Sequence, residues 1–401
     1  MKKSLIYSNL AGLFFCLSSS NSRNDKKKQP LETIISTTEQ LIKMESVSNT
    51  TNKDVVDFVD EHLSGKGFST EVQHYAANNG VEKYNLVAKY GKGNGGFAFI
   101  AHADVVPGQA DKWPAFQPEI KDNKLFGRGS CDMKGAIATY LKVIDDIKLD
   151  TLKQPLWLII TADEEIGSLG AKYMLKHSDM LKQDKPENAI IGEPSQMETI
   201  YAHKGWATFE VTARGTAMHT STDLGESSNF KIAPFLAEMA QLKQEFLNNP
   251  IYKNNEFTPA SNGFNITIKD FDGQLNVTST KTTCGVSYRV MHNANSEEIA
   301  ERIKGKARQY NLEVISDYTE GMHTDIRSEL VKTCVQITGA EQALTAPYNT
   351  DGAVMNKIIK NLVILGPGNI EQAHTVGEFV EISELQKAYE VYTQLVNTFC
   401  R

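Results

Sequence analysis

The chain has 401 residues, a length that predicts two domains, since single hydrophobic cores rarely grow beyond about 250–300 residues. Apolar residues make up 40% of the chain and charged residues 23%, a balance typical of a folded globular protein. A net charge of −7 without a dense basic stripe argues against nucleic acid as a partner. Beyond the first 20 residues, no apolar run is long enough to span a membrane.

The N-terminal residues differ in composition from the rest. Two lysines precede a mostly apolar run over residues 5–17 and then three serines, which is the order of regions in a secretory signal peptide. Residues 21–30 are polar and typical of a linker, so residues 1–30 are predicted to be a signal-like or disordered extension. The five cysteines are scattered, which favours reduced thiols over a disulfide framework. A cytoplasmic location is therefore slightly favoured, and export stays open.

Helices and strands alternate in the first half of the chain. Helices are predicted over residues 31–43, 54–65, 135–147 and 171–176, and strands over 84–88, 97–100, 156–160 and 189–191. Residues 91–96 match GxGxxG literally, but a strand follows instead of a helix, which favours a turn between strands over a dinucleotide site. The continuous apolar strands are typical of strands buried on both faces. The alternation predicts an α/β domain with a mainly parallel sheet.

The pattern changes after Gly205. Strands are predicted over residues 208–213, 263–269, 282–290 and 312–315, and helices over 229–246 and 296–308. The order β-α-β-β-α-β predicts a small inserted ferredoxin-like α+β domain. A buried strand at 362–365 and a closing helix at 382–398 then return to the first domain. The predicted boundaries are 31–205 and 318–401 for the two parts of a three-layer α/β domain, and 206–317 for the insertion.

Acidic and imidazole side chains gather where the predicted strands end. They are His102 and Asp104 in AHADVVPG, Asp132 in GRGSCDMKGA, Glu164 and Glu165 in TADEEIGSLGA, Glu193 in IIGEPS, and His374 in EQAHTVGEF. In open α/β sheets, the carboxyl ends of strands are where sites are built. Histidines and carboxylates without thiolates suit Zn²⁺, with Co²⁺ or Mn²⁺ as substitutes. Together the clusters predict a two-metal hydrolase site, in which one carboxylate bridges the metals.

The spacing within two clusters adds detail. Asp104 is two residues from His102, on the same side of an extended strand, where it can accept a hydrogen bond from the second ring nitrogen. Glu164 and Glu165 are adjacent and point to different sides, so that one can bind metal while the other faces water. Taken alone, each pattern is also typical of a structural histidine or a solvated acidic turn. Their joint occurrence favours the metal site.

The segments HADVVP, GRGSCDMKG, DEEIG, GEPS and the final AH resemble the M20 family of metallopeptidases and deacylases with co-catalytic zinc. The resemblance covers about residues 31–401, including the insertion. It implies two zinc ions per subunit, the first held by His102 and Glu193 and the second by Glu165 and His374. Asp132 would bridge the two ions.

The same resemblance implies catalytic roles around those ligands. Glu164 would act as the general base and later as the acid. Asp104 would orient His102. The peptide bond after Asp132 would be cis. His219, in ARGTAMHTS, would stabilise the oxyanion, in this family often from the partner subunit.

Substrate-binding residues are implied as well. Arg289, in SYRVMHNANSEE, resembles the arginine that binds the substrate carboxylate, for which a guanidinium is a bidentate partner. Asn276, in LNVTSTK, is a candidate for an oxyanion or substrate contact. Asp351, in NTDGAVM, and Gly368, in the Gly-Pro-Gly turn, are predicted to shape the substrate pocket.

Within the family, CDMKG, GEPS followed by AHKG, and LGPGNIEQAH are most similar to deacetylases of N-acetyl-L-ornithine. This implies hydrolysis of the acyl amide of an N-acyl-L-amino acid, with L-ornithine and acetate as products, in arginine biosynthesis. Alternatives stay open: a succinyl-diaminopimelate desuccinylase, another N-acylamino-acid deacylase, an exported dipeptidase or carboxypeptidase, and a non-enzymatic scaffold. No nucleic acid is expected as a partner. A homodimer through the inserted lid domain rests on family analogy.

Overall fold

The computed structural model describes residues 29–401. Residues 1–28 of the predicted signal-like extension therefore lie outside the described residues. Residues 29 and 30 already belong to a helix, α1 (29–43), although the sequence pattern assigned them to the extension. Among residues 29–401, none of the helices combines the length and hydropathy that a bilayer crossing requires.

The remaining elements follow in chain order. The helices are α2 (Lys53–Gly65), α3 (Gly135–Asp146), α4 (Leu169–His177), α5 (Asp179–Gln183), α6 (Ser228–Asn248), α7 (Ser296–Gln309), α8 (Glu329–Thr338), α9 (Gly352–Met355) and α10 (Ile382–Cys400). The strands are β1 (Ser69–Ala76), β2 (Glu82–Tyr90), β3 (Phe97–His102), β4 (Glu119–Lys121), β5 (Lys124–Phe126), β6 (Leu156–Thr161), β7 (Asn188–Ile191), β8 (Ile200–His203), β9 (Trp206–Arg214), β10 (Asn265–Asp270), β11 (Lys281–Tyr288), β12 (Glu313–Thr319), β13 (Met322–His323), β14 (Leu344–Ala346), β15 (Asn361–Ile364) and β16 (Phe379–Glu381).

Every predicted helix and strand is present, with ends that differ by a few residues. The GxGxxG segment is a turn between β2 and β3, as predicted. The elements that the pattern missed are mostly short, and they include β4, β5, β8, β13, β14 and β16. A strand of two to four residues is too short to show an alternation of apolar and polar side chains.

The large sheet has the strand order β1-β2-β6-β3-β7-β15-β8-β13, with β14 beside β8. Its centre, β6-β3-β7-β15, is parallel, whereas β1 and β2 at one side and β13 at the other pair antiparallel. Strands β3 and β6 are buried along their whole length. Full burial requires cover on both faces, which explains their continuous apolar sequence.

Helices cover this sheet in two groups. Contacts join α2, α3, α8 and α10 into one group and α4 and α9 into another, and members of both groups contact the strands. The apolar side chains between helices and sheet form one continuous core. The part of the chain outside the insertion is therefore an α/β fold with a parallel sheet centre, as predicted. A small third sheet, β16-β5-β4, joins the two parts of the chain that flank the insertion.

The inserted segment forms a second sheet with the order β10-β11-β9-β12, and all its neighbours are antiparallel. Helices α6 and α7 pack against it, and its apolar side chains form a core of their own. This connectivity is the ferredoxin-like arrangement that the sequence order predicts. The residue boundaries of the domains and the role of the insertion as a lid stay predictions.

An ion pair links α3 to α2. The Oδ1 atom of Asp145 lies 3.0 Å from Nε2 of His62 and 2.8 Å from Nζ of Lys66. Burial alone would raise the pKa of Asp145, but the hydrogen bonds from His62 and Lys66 lower it to about 2. The ionised carboxylate therefore stabilises the folded protein.

We expect Asp145→Asn to lower the free energy of unfolding at pH 7 by about 1 kcal/mol, because the pair is partly exposed and solvent screens it. The folded pKa lies below the unfolded value, so the contribution is present above about pH 5 and is lost as the pH falls toward 2. Urea denaturation should show that the difference between wild type and variant falls by about half at pH 3. Asp150→Asn, which changes an exposed carboxylate, is the control. A difference that stays constant from pH 7 to pH 3 would contradict the assignment.

Candidate metal and catalytic site

Three neighbouring parallel strands bring the predicted site residues to one edge of the large sheet. His102 ends β3, Glu164 and Glu165 follow β6, and Glu193 follows β7. Because β6, β3 and β7 are adjacent and parallel, their carboxyl ends meet at the same edge. The buried apolar strands thereby hold charged groups at positions where they face one another.

The first cluster of metal-ligand type contains His102, Asp132 and Glu193. The Nε2 atom of His102 lies 2.9 Å from Oδ1 of Asp132 and 3.6 Å from Oε1 of Glu193. One ligand atom from each of the three residues lies within 4.8 Å of the others, and all three side chains are buried. This spacing fits a single cation between them.

The second cluster contains Asp132, Glu165 and His374. The Nε2 atom of His374 lies 3.2 Å from Oδ2 of Asp132 and 2.9 Å from Oε2 of Glu165. Their ligand atoms also lie within 4.8 Å of one another. Asp132 thus belongs to both clusters, and it turns one carboxylate oxygen to each. That is the arrangement that a bridging carboxylate requires.

Asp132 is positioned by a wide π-type turn at Ser130–Lys134, and the bond from Asp132 to Met133 is cis, as the resemblance implies. The carboxylate of buried Glu378 accepts hydrogen bonds from the main-chain N–H of Gly129 at 3.0 Å, of Cys131 at 3.0 Å and of Asp132 at 3.1 Å. Arg128 pairs with the other oxygen of Glu378. Sequence reasoning missed Glu378, because a single glutamate next to a glycine carries no distinctive pattern.

Asp104 contacts His102 differently from the expectation. The Nδ1 atom of His102 lies 2.9 Å from the main-chain oxygen of Asp104 and 3.7 Å from its carboxylate. The carboxylate accepts hydrogen bonds from the hydroxyl of Ser48 at 2.7 Å and from the N–H of Glu164 at 3.1 Å. The carbonyl of Asp104 therefore orients the ring, and its carboxylate holds the turn that carries Glu164.

The electrostatics of the site favour bound cations. Burial, together with the charge of Glu193, raises the pKa of Glu164 well above its usual value, and burial and the charge of Asp132 do the same for Glu193. Hydrogen bonds to Asp132 and Glu165 raise the pKa of His374 to about 10. Within residues 29–401, the ion-pair partners of Asp132, Glu165 and Glu193 are the two histidines. Several buried carboxylates without arginine or lysine partners fit a pair of divalent cations, and the donor set suits zinc.

A cavity of about 380 Å³ opens onto both clusters. Its wall is formed by Asp132, Glu164, Glu165, Ile166, Gly167, Glu193, Trp206, Arg289, Tyr348, Asn349, Thr350, Ile370 and His374. Trp206 and Arg289 come from the inserted segment, so both sheets contribute to it. Glu164 lies in the wall without being a member of either cluster, which is the position that a general base requires.

Thr350, a wall residue, is held by a histidine that sequence reasoning left without a role. The Nε2 atom of buried His203 lies 3.1 Å from the hydroxyl oxygen of Thr350. Burial lowers the pKa of His203 to about 4. A neutral imidazole at this position acts as a fixed hydrogen-bond partner, and the AHKG segment that contains His203 was the available signal.

Besides His102 and Asp104, four predicted site residues lie outside the cavity wall. His219 and Asn276 are exposed and near each other, since the N–H of Thr220 donates to the carbonyl of Asn276 at 3.0 Å. Asp351 is buried behind the wall, where the hydroxyl of Thr161 donates to its carboxylate. Gly368 packs against Cys131, with a φ of 94° and too little room for a Cβ atom. Asp351 is the chain neighbour of the wall residue Thr350, and Cys131, the neighbour of Gly368 in space, precedes Asp132. Their role in shaping the substrate pocket stays a prediction.

A model of the family "Peptidase family M20/M25/M40" matches residues 98–398. The chain is 29% identical to an acetylornithine deacetylase of Myxococcus xanthus over 383 residues, which cover 92% of this chain and 98% of that protein. It is 28% identical to an acetylornithine deacetylase of Pasteurella multocida, with 87% of this chain and 92% of the relative covered.

Solved structures with the same fold include a tripeptidase from Staphylococcus aureus, with a TM-score of 0.70 at 18% identity, over 92% of this chain and 98% of that one. A dinuclear metal-binding peptidase of Bacillus subtilis matches with a TM-score of 0.63 at 14% identity, over 93% of this chain and 99% of that one. At these identities, the likeness shows the fold.

Proposed function

Because the chain belongs to the peptidase family M20/M25/M40, a family of metal-dependent amide hydrolases, we propose that it is a di-zinc hydrolase of N-acyl-L-amino acids. The observation that carries this proposal is the position of Asp132, whose two carboxylate oxygens face His102 and His374. N-Acetyl-L-ornithine, hydrolysed to L-ornithine and acetate, is the proposed substrate. The similarity to acetylornithine deacetylases along almost the whole chain supports this choice.

The residues that would hold the ions are those of the two clusters, with His102 and Glu193 on one side, Glu165 and His374 on the other, and Asp132 between them. When bound, two zinc ions lower the pKa of a water and polarise the acyl carbonyl. Glu164 takes a proton from the attacking water and delivers it to the leaving amine. Burial, which raises the pKa of Glu164, helps the protonated form to act as that acid.

Arg289 is proposed to bind the substrate carboxylate. Its side chain is exposed and borders the cavity from the inserted segment. A guanidinium at the rim can hold a carboxylate bidentately while the acyl group reaches the two clusters. His219 lies away from this cavity, so its proposed oxyanion contact requires a second subunit or a closing motion of the insertion. We therefore keep a homodimer as part of the proposal. Light scattering tests it by measuring the molar mass in solution, and the mass of a single chain would contradict the dimer.

A second candidate substrate class is favoured by the apolar residues of the cavity wall. Ile166, Trp206, Tyr348 and Ile370 give this wall an apolar character. Among the described wall residues, the carboxylates are those of the two clusters and Glu164, which leaves none to pair with the ammonium group of ornithine. N-Acylamino acids with apolar side chains are therefore the second candidate.

A turnover panel on the zinc-loaded protein distinguishes these candidates. It compares N-acetyl-L-ornithine, N-acetyl-L-methionine, N-succinyl-diaminopimelate and a dipeptide. The first proposal expects the highest kcat/KM for N-acetyl-L-ornithine. A higher value for N-acetyl-L-methionine would favour the apolar class, and a higher value for the dipeptide would favour a peptidase. If none of the four compounds is hydrolysed, the result contradicts the proposed function.

We place the protein in the cytoplasm, where a biosynthetic deacetylase would act. The described cysteines are free and buried, which fits a reducing compartment. Sequencing of the mature N-terminus tests the location, because removal of the signal-like segment would show export.

A further inference from the structure

A third cluster of metal-ligand type lies outside the cavity wall and consists of Glu256, His292 and His323. Glu256 lies in the segment between α6 and β10, His292 follows β11, and His323 ends β13 at the edge of the large sheet. One ligand atom from each residue lies within 4.8 Å of the others. We propose that these three side chains bind a transition-metal ion such as Zn²⁺, which would link the inserted segment to the large sheet.

His292 lies close to the carboxylate of the cluster. Its Nε2 atom lies 2.6 Å from Oε2 of Glu256, but the pair lacks the angles of a hydrogen bond. The same nitrogen is shielded from solvent, and no other described group hydrogen-bonds to it. The nearest ligand-type group to this nitrogen is thus another member of the same cluster, and one metal ion placed between them could bind both.

The position of His323 completes the set. Its ring centroid lies 3.8 Å from that of His292, with an angle of 39° between the ring planes. Two protonated rings at this distance would repel each other. A cation held by both neutral rings and by the carboxylate engages all three groups at once.

The donor set and spacing suit zinc. Two imidazoles and one carboxylate are a common zinc ligand set, with a fourth position for water. From metal–ligand distances of about 2.0–2.1 Å, ligand atoms of a tetrahedral zinc lie about 3.3 Å apart. Glu256 and His323 are exposed, so small rotations of their side chains can bring the ligand atoms from their present spacing to this one.

Hydrogen bonds fix the main chain on which the ligands stand. The side chain of Asn254 donates to the carbonyl of His292 at 2.8 Å. The hydroxyl of Thr345 donates to the carbonyl of Glu256 at 2.7 Å, and the N–H of His323 donates to Asn356 at 3.0 Å. The three ligands are therefore presented from anchored segments, as a preorganised metal site requires.

The site would couple to the cavity through the short stretch from Arg289 to His292. Val290 in this stretch exchanges hydrogen bonds with Gly205 in both directions, at 2.8 and 3.1 Å. Gly205 lies where the main chain passes from β8 in the large sheet to β9 in the second sheet. An ion that joins His292 to His323 would restrict motion of the inserted segment relative to the large sheet. Occupancy should therefore raise the melting temperature and slow any step that needs this motion.

The test uses the full chain, stripped of metal and titrated with Zn²⁺ while bound zinc is measured by mass spectrometry. Wild type is expected to bind one equivalent more than His323→Gln, and that last equivalent should raise the melting temperature of wild type alone. Glu256→Gln, a change at an exposed side chain, should reproduce the loss. His177→Gln removes an exposed imidazole outside the three clusters and should behave as wild type.

The proposal is judged by the difference in bound zinc between wild type and variant. This difference does not depend on how many ions the two clusters of the cavity hold. Unchanged turnover at low zinc would show that His323→Gln folds. Anomalous diffraction at the zinc edge should show a peak between His292 and His323. Equal zinc stoichiometry in wild type, His323→Gln and Glu256→Gln would overturn the proposal.

Discussion

Replacing Glu164 by glutamine is expected to lower kcat by about 10²–10⁴-fold, the range that general acid–base catalysis contributes, while zinc content stays unchanged. Glu164 lies in the cavity wall but in neither ligand cluster. The amide of glutamine has nearly the same shape as the carboxylate, and it cannot accept the proton of a water at neutral pH. The loss should therefore appear in the proton-transfer step and not in metal binding.

Steady-state kinetics on N-acetyl-L-ornithine and metal analysis of the same samples measure these two effects separately. Glu61→Gln, on the exposed face of α2, makes the same chemical change far from the cavity wall and should leave both quantities unchanged. Wild-type turnover by Glu164→Gln would remove the base assignment. A lower zinc content would instead assign Glu164 to metal binding.

Replacing Asp132 by asparagine is expected to weaken the binding of at least one zinc ion by more than about 100-fold, since even partners outside the coordination sphere cost about 10–100-fold. Both clusters use Asp132, through Oδ1 toward His102 and Oδ2 toward His374. An asparagine offers one oxygen and one amide nitrogen, and it carries no charge. Turnover should fall along with metal content.

Competition with a zinc chelator measures the affinity of wild type and variant. Asp111→Asn removes an exposed carboxylate and should leave zinc binding unchanged. Two ions held with wild-type affinity by Asp132→Asn would rule out the bridge. Restored turnover at high zinc would show that the variant folds and that the loss lies in affinity.

The sequence predicted the central elements well because their signals are local. The run Leu156–Thr161 is apolar at every position but its last and is buried along its length, and helix periodicity placed α6 and α10 within a few residues. The short edge strands and the role of Glu378 carry no such local signal, and the AHKG segment marks His203 without revealing its partner Thr350. They depend on contacts between distant segments, such as that from Glu378 to the N–H of Asp132, 246 residues away.

By itself, the sequence determined the α/β and ferredoxin-like elements, the family, and the residue types that meet at the strand ends, because hydrophobic periodicity and motif chemistry are written in neighbouring residues. Only the tertiary structure decided that each oxygen of Asp132 faces a different histidine and that His219 lies outside the cavity wall. It also decided that Glu256, His292 and His323 meet at the junction of two sheets. Such contacts follow from how the sheets pack, and the packing brings together side chains that the order of residues leaves far apart.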